Sequence, residues 1–188
     1  PAILRDEASR RAVARDYGGY VHRVPRGTIR ATGVEDVVAA VRHAAQHGIK
    51  LAARGAGHST HGQAQAEDGL VLELRGLDRV LELAPESILV EAGALWRTVA
   101  ETALTIGRTF PVFTDDLTTT VCGTLSVGGV GSRTWQMGAQ TDHVLELEVV
   151  TASGDVVGCS PEHNTALFDV VRCGLGQFGI ITKARLRL

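Results

Sequence analysis

The 188-residue sequence predicts an α+β protein built as two lobes, with a glycine-rich segment near the seam between them. Three observations predict it. A helical apolar stripe lies between two short apolar runs in the first half, which makes a β-α-β unit. Two β-runs flank Ala152-Ser153-Gly154 in the second half, a hairpin signal. The tail from Ile180 to Leu188 alternates with a period of two, as a half-buried strand does.

Taken in order, Thr28 to Ala31 is the first strand. Val34 to His47 follows as a helix, with Val34, Val37, Val38, Val41, Ala44 and Ala45 on one face, Thr32 as the expected cap and Gly48 as the stop. Ile49 to Ala53 is the second strand, and it empties into Arg54-Gly55-Ala56-Gly57-His58-Ser59-Thr60-His61-Gly62-Gln63. Leu70 to Leu74 and Ser87 to Ala92 read as strands. Leu95 to Ile106 returns to helical spacing and Gly107 ends it. Past Phe113 a second region begins: strands Val144 to Thr151 and Asp155 to Cys159, a short helical piece from Ala166 to Val171, then Ile180 to Leu188. There Ile180, Thr182, Ala184, Leu186 and Leu188 alternate with Lys183, Arg185 and Arg187.

Composition narrows the classes of partner. Apolar residues make up 44% and charged residues 21%, ordinary values for one ligand-binding domain. A net charge of −2 with no basic cluster argues against nucleic acid. No apolar run approaches the roughly 20 residues that span a bilayer, so no membrane is expected. Cys122, Cys159 and Cys173 form no C-x-x-C pair, and an odd count suits reduced thiols and a cytoplasmic setting. His43 and His47 are four apart but lack an acid partner, so they read as surface residues and no metal is expected. Trp96 and Trp135 read as core or rim packing.

The turn from Arg54 to Gln63 is the first candidate site. Gly55 and Gly57 lack Cβ, so the backbone can adopt positive φ and present successive N–H groups to an anion such as a nucleotide pyrophosphate. His58 then stands where a bound cofactor could touch its imidazole. A tight strand-exit turn with a locally bonded histidine is the simpler alternative. The second candidate is Thr118 to Gly131, with four glycines and five hydroxyl residues. It suits close packing against a large planar or anionic group, or equally a small-residue helix packed on its neighbour. Two such segments in one short chain favour a single extended ligand across both. Just upstream, Asp115-Asp116 reads as a solvated turn or, near a ligand, as one carboxylate facing the site as general base.

Together these pieces resemble the flavin-binding domain of the vanillyl-alcohol oxidase and p-cresol methylhydroxylase superfamily, and cytokinin dehydrogenases within it. The resemblance rests on Arg54 to Ser59 with Gly62-Gln63-Ala64, Thr114-Asp115 with Leu117, Gly123-Thr124-Leu125-Ser126, and Gly174 to Thr182. It covers about residues 25–188, the expected PCMH-type domain, and leaves 1–24 as an N-terminal segment. It implies FAD held between two α+β subdomains. Ala53, Arg54, Gly55, Ala56, Gly57, His58 and Ser59 would receive the pyrophosphate with Gln63. His58 matches the position that bonds covalently to the flavin 8α-methyl, which is reasonable for a neutral imidazole nucleophile. Thr120, Gly123, Ser126, Val130, Ile180 and Ile181 would line the cofactor. Asp115 matches the catalytic acid that holds the substrate nitrogen and accepts its proton while hydride passes to flavin N5. Asp116 stands where an aromatic residue is usual, and is held as the spare.

Three departures qualify the resemblance. Ala56 replaces a residue that is often arginine in cytokinin dehydrogenases, which weakens assignment to that substrate. Cys122 stands where that branch commonly has glycine; in the berberine-bridge-like branch a cysteine there makes a second flavin bond, and a free packed thiol is the preferred reading here. The chain also stops at Leu188, where relatives continue into a substrate domain. The expectation is therefore an FAD-dependent oxidase or dehydrogenase domain acting on a C–H beside N or O of a small molecule, with a partner chain as one source of the substrate domain. The rival is an isolated flavin-binding module or fragment without turnover. A nicotinamide fold is weaker, since Gly55-Ala56-Gly57 is followed by no convincing helix start and no third glycine.

Overall fold

The computed structural model describes all of residues 1–188. Two sheets carry the architecture. The first is parallel and three-stranded, in the order β1 (Gly27–Arg30), β3 (Leu70–Glu73), β2 (Leu51–Arg54). Its central strand is a continuous apolar run, Leu70-Val71-Leu72, buried to 1% exposure or less, as the middle of a covered parallel sheet requires. The β-α-β unit is present, but β3 inserts between its two strands, a long-range pairing that local spacing does not encode.

Helix α2 (Val34–His47) buries Val37, Ala40, Val41 and Ala44. Gly48 closes it in the left-handed conformation at φ +62°. The expected cap differs: Gly33 is the N-cap residue, while Thr32 donates its N–H and hydroxyl to the Asp36 carboxylate at 2.8 and 3.0 Å. Thr32 sits one residue too early to reach the first helical amides, and Asp36 binds it instead.

The second sheet is antiparallel, ordered β4 (Val80–Ala84), β5 (Ser87–Glu91), β8 (Ile180–Arg187), β6 (Val144–Val150), β7 (Val156–Cys159). Strand β8 is central, and a register shift opposite Glu148 and Val149 marks a bulge at Thr182. The bulge explains why Ile181 and Thr182 are both buried, where strict alternation would expose Ile181. The hairpin between β6 and β7 turns at Gly154, φ +79°. Strand β4 goes unread in the sequence because it is an edge with no clean alternation, its Leu81 exposed.

At the end of β5, Glu91 is 3% exposed and accepts from Arg79 through N, Nε and Nη2 at 3.0, 3.1 and 2.7 Å. The hydrogen bonds from Arg79 hold its carboxyl below the ordinary glutamate range. A lowered folded pKa stabilises fully above the unfolded value, about 4.3, and the gain is lost as pH falls through the folded value. Glu91→Gln is therefore expected to lower stability at neutral pH and to flatten the acid limb, read from urea midpoints between about pH 7 and 3.

Helix α2 touches both sheets, helix α3 (Trp96–Leu104) packs on β4 and the five-residue helix α4 (Val121–Leu125) on β8, and one continuous core joins all of these elements. The N-terminal segment folds back onto this body. Helix α1 (Glu7–Ala12) is capped by Asp6, Leu4 pairs with Thr28, and the Tyr17 N–H donates to the Ser59 carbonyl at 2.9 Å.

Candidate functional site

Strand β2 ends at Arg54, and the chain passes directly into Gly55 at the carboxyl end of the parallel sheet, where such folds place ligands. Opposite stands α4. Its start is fixed by Val121 N–H to the Ala94 carbonyl at 2.9 Å and Cys122 N–H to the Ala92 carbonyl at 3.3 Å. Its end is hooked by the loop before β8, where Cys173 and Leu175 donate N–H groups to the carbonyls of Leu125 and Ser126 at 3.0 and 2.9 Å. Cys173 and Leu175 take φ of +59° and +52°, strain that this docking maintains.

Between these walls runs a cleft of about 720 Å³, well inside the range of cofactor pockets. Fourteen sequence-predicted residues line it: Ala53 to Ser59, Gln63, Thr120, Cys122, Gly123, Ser126, Ile180 and Ile181. Val130 does not. Gly128 and Gly129, at φ +106° and +65°, reverse the chain after α4 and leave Val130 72% exposed outside the cleft. Asp115 is exposed and also outside the lining.

The two small-residue segments meet face to face. A Cβ on Gly55 would collide with the Thr120 hydroxyl, so the glycine is required by close approach. Positive φ is used instead at Gly57, +85°. Gly55→Ala is expected to cost about 1–3 kcal/mol by overpacking, measured by chemical denaturation, and Thr120→Ala should recover part of that loss. The second segment is both things it could be, a packed short helix and a cleft wall.

Polar groups in the wall are left without partners. Arg54 Nη1, His58 Nδ1, Ser59 Oγ, Gln65 Oε1 and Thr120 Oγ1 are all buried with no hydrogen bond, and all five residues line the cleft. Folded proteins leave few such atoms, and each costs about 1–3 kcal/mol. Three of them can donate to oxygen, which fits a ligand rich in phosphate and hydroxyl oxygens. Burial lowers the Arg54 guanidinium from its ordinary value, opposed by Glu73, yet arginine remains cationic. Arg23 and Lys50 add cations to the same wall.

His58 is held on two sides. Its Nε2 lies 2.8 Å from Asp116 Oδ2, and its ring stacks on Tyr17 at 4.4 Å and 22°. The other Asp116 oxygen accepts from the Thr118 N–H and hydroxyl at 2.8 and 2.6 Å. Those bonds, and then the one from His58, hold the Asp116 carboxyl below its ordinary range. Gln63 is exposed, its carbonyl taken by the His61 N–H at 3.0 Å, whereas Gln65 is the buried glutamine of the wall. The Ser126 hydroxyl donates to the Cys122 carbonyl at 2.7 Å. Cys122 is 3% exposed and burial pushes its thiol far above the ordinary range, so it stays protonated.

Sequence reasoning missed Tyr17, Arg23 and Gln65. Their places depend on the docking of the first 24 residues, through Arg23 N–H to the Ala14 carbonyl at 2.8 Å and Gln65 Nε2 to the Val21 carbonyl at 3.2 Å. No local pattern signals that docking.

Comparison with known proteins adds three findings. Residues 25–160 match the family described as FAD binding domain. Among curated proteins, the chain is 43% identical over 183 residues to an uncharacterized oxidoreductase in the fasciation locus of Rhodococcoides fascians, covering 97% of this chain and 42% of that protein. It is 40% identical to cytokinin dehydrogenase 10 of Oryza sativa subsp. japonica, covering 99% of this chain and 36% of that protein. Among solved structures, 6-hydroxy-D-nicotine oxidase from Arthrobacter nicotinovorans superposes with a TM-score of 0.88 at 29% identity, covering 98% of this chain and 41% of that one. The chain thus spans about two-fifths of the length of these relatives.

Proposed function

Because this chain belongs to the FAD binding domain family, we propose that it is the cofactor-holding part of an FAD-dependent oxidoreductase, with the dinucleotide lying across the cleft and bonded to His58. The observation that carries the reading is the set of five unpartnered buried polar atoms among the cleft's lining residues, four from residues 54–65 and Thr120 Oγ1 from the second glycine-rich segment. Residues 53–59 hold the pyrophosphate, with main-chain N–H groups and the Arg54 cation as its partners. Gln63 stands at the rim. Thr120, Gly123, Ser126, Ile180 and Ile181 would line the ring system. Val130 has no part in it.

When bound, FAD supplies a two-electron acceptor for hydride from a C–H beside nitrogen or oxygen of a small amine, alcohol or sugar. Asp115 takes the proton that such a substrate must shed, because loss of hydride leaves a cation. His58 anchors the cofactor through one ring nitrogen. Cys122 stays a packed thiol, since a protonated, buried sulfur is a poor nucleophile. The substrate's remaining contacts come from further sequence or from a partner chain. Three free thiols suit a reducing compartment, and the cytoplasm is the proposed location. No helix is long and apolar enough to cross a membrane.

The test is the visible spectrum of the purified chain with its mass before and after denaturation. A flavin spectrum and a mass increase of one FAD that survives denaturation are expected. A colourless chain that takes up no FAD defeats the proposal. Exposure of Asp115 favours a second reading, a flavin module without turnover of its own, because nothing in this chain shields that base from water. Titration with amines, alcohols and sugars separates the two: bleaching of the flavin by any of them excludes the passive module.

A further inference from the structure

The Asp116 carboxylate can only accept a hydrogen bond, so its 2.8 Å contact requires the proton on His58 Nε2. In the neutral ring the lone pair then lies on Nδ1, the buried atom with no partner. The carboxylate is itself immobilised, since its second oxygen is tied to both the N–H and the hydroxyl of Thr118. Tyr17 fixes the plane of the imidazole from the side, and the Tyr17 backbone is pinned to Ser59, next in the chain after His58. Neither residue belongs to the motifs on which the resemblance rests, and Asp116 departs from them.

We propose that Asp116 is a positioning residue that sets the His58 tautomer and thereby makes Nδ1 the nitrogen that bonds the flavin. The inference rests on the proposed His58 linkage and adds which atom forms it and what prepares that atom. In the linking reaction a bond forms between Nδ1 and the 8α carbon, and one C–H bond of the 8α-methyl breaks. The methyl proton goes to solvent. Alkylation leaves the ring cationic, so the Nε2 proton departs through the Asp116 carboxylate to solvent. The two electrons of the broken C–H bond reduce the flavin and pass on to dioxygen, which becomes hydrogen peroxide and balances the equation.

Two readouts test it, neither of them substrate turnover. Nitrogen NMR of the apo-chain labelled with ¹⁵N-histidine reads the tautomer: His58 is expected with a protonated Nε2 and a bare Nδ1 in the wild type, and as a mixture in Asp116→Ala. Apo-chain from a riboflavin-starved host is then mixed with FAD under air, and the mass of the denatured chain is followed in time. Asp116→Ala is expected to slow covalent incorporation by about tenfold or more while binding FAD reversibly as the wild type does. Asp116→Asn keeps an acceptor for Nε2–H and is expected to restore the tautomer and part of the rate. Circular dichroism matching the wild type excludes a folding defect. Asp116→Ala linking at the wild-type rate, or a wild-type flavinyl peptide bonded through Nε2, overturns the inference and leaves the linkage standing. A wild-type chain that binds FAD and never links it overturns the linkage itself, with this inference.

Discussion

His58→Ala is expected to abolish flavin retention after denaturation, reducing the denatured mass to that of the polypeptide, while FAD still binds reversibly. The reason lies in which nucleophiles the cleft offers. His58 presents an imidazole with one nitrogen bonded to Asp116 and the other without a partner. The other soft nucleophile in the wall, Cys122, is held protonated by burial and does not compete. On the proposed reading the pyrophosphate is held by residues 53–57 and Ser59 without the imidazole, so affinity should fall modestly, the flavin should become exchangeable, and no colour should stay with the denatured chain. A His58→Ala chain that keeps flavin through denaturation would assign the bond to another residue.

Trp96→Ala is expected to cost about 3–5 kcal/mol, a large share of the roughly 5–15 kcal/mol that holds a domain of this size folded. Trp96 is 1% exposed, at the first turn of α3, and packs edge-on against Phe110 and Phe113 at 5.2 and 6.4 Å. Its indole N–H donates to Thr124 Oγ1 at 2.9 Å, and that hydroxyl donates in turn to the Val121 carbonyl. Deleting the ring empties the contact between α3 and the helix that forms one wall of the cleft. Loss of stability should therefore come with looser FAD binding. Trp96→Phe refills most of the volume and loses the hydrogen bond, for about 1 kcal/mol. Urea midpoints of the two variants separate packing from polar loss.

What the sequence discloses is local. The α2 stripe, its Gly48 stop, the hairpin at Gly154 and the strand leading into Gly55 are all read from spacing and turn residues, and all are present. The two-lobed α+β fold, read from spacing, and the family, read from four short motifs, agree with the structural likeness and the family match. Long-range facts are not legible. Insertion of β3 between β1 and β2, the bulge at Thr182 and the docking of residues 1–24 all depend on pairings between distant residues. The cleft wall shows the same division. Gly55 is apparent from its motif, but its partner Thr120 becomes meaningful only once the segments face each other. Val130 is placed at the cofactor by the family resemblance alone, and here Gly128 and Gly129 turn the chain away before it. Asp116 reads as a spare acid until the fold sets it against His58.

Hydrogen exchange of the His58→Ala chain, from which FAD can be removed and restored, tests most directly whether one ligand spans both walls. Added FAD is predicted to slow exchange together in residues 54–59, 120–126 and 175–181. Protection confined to one of these stretches, or absent from all of them at saturating FAD, would contradict a cleft shared by the two glycine-rich segments.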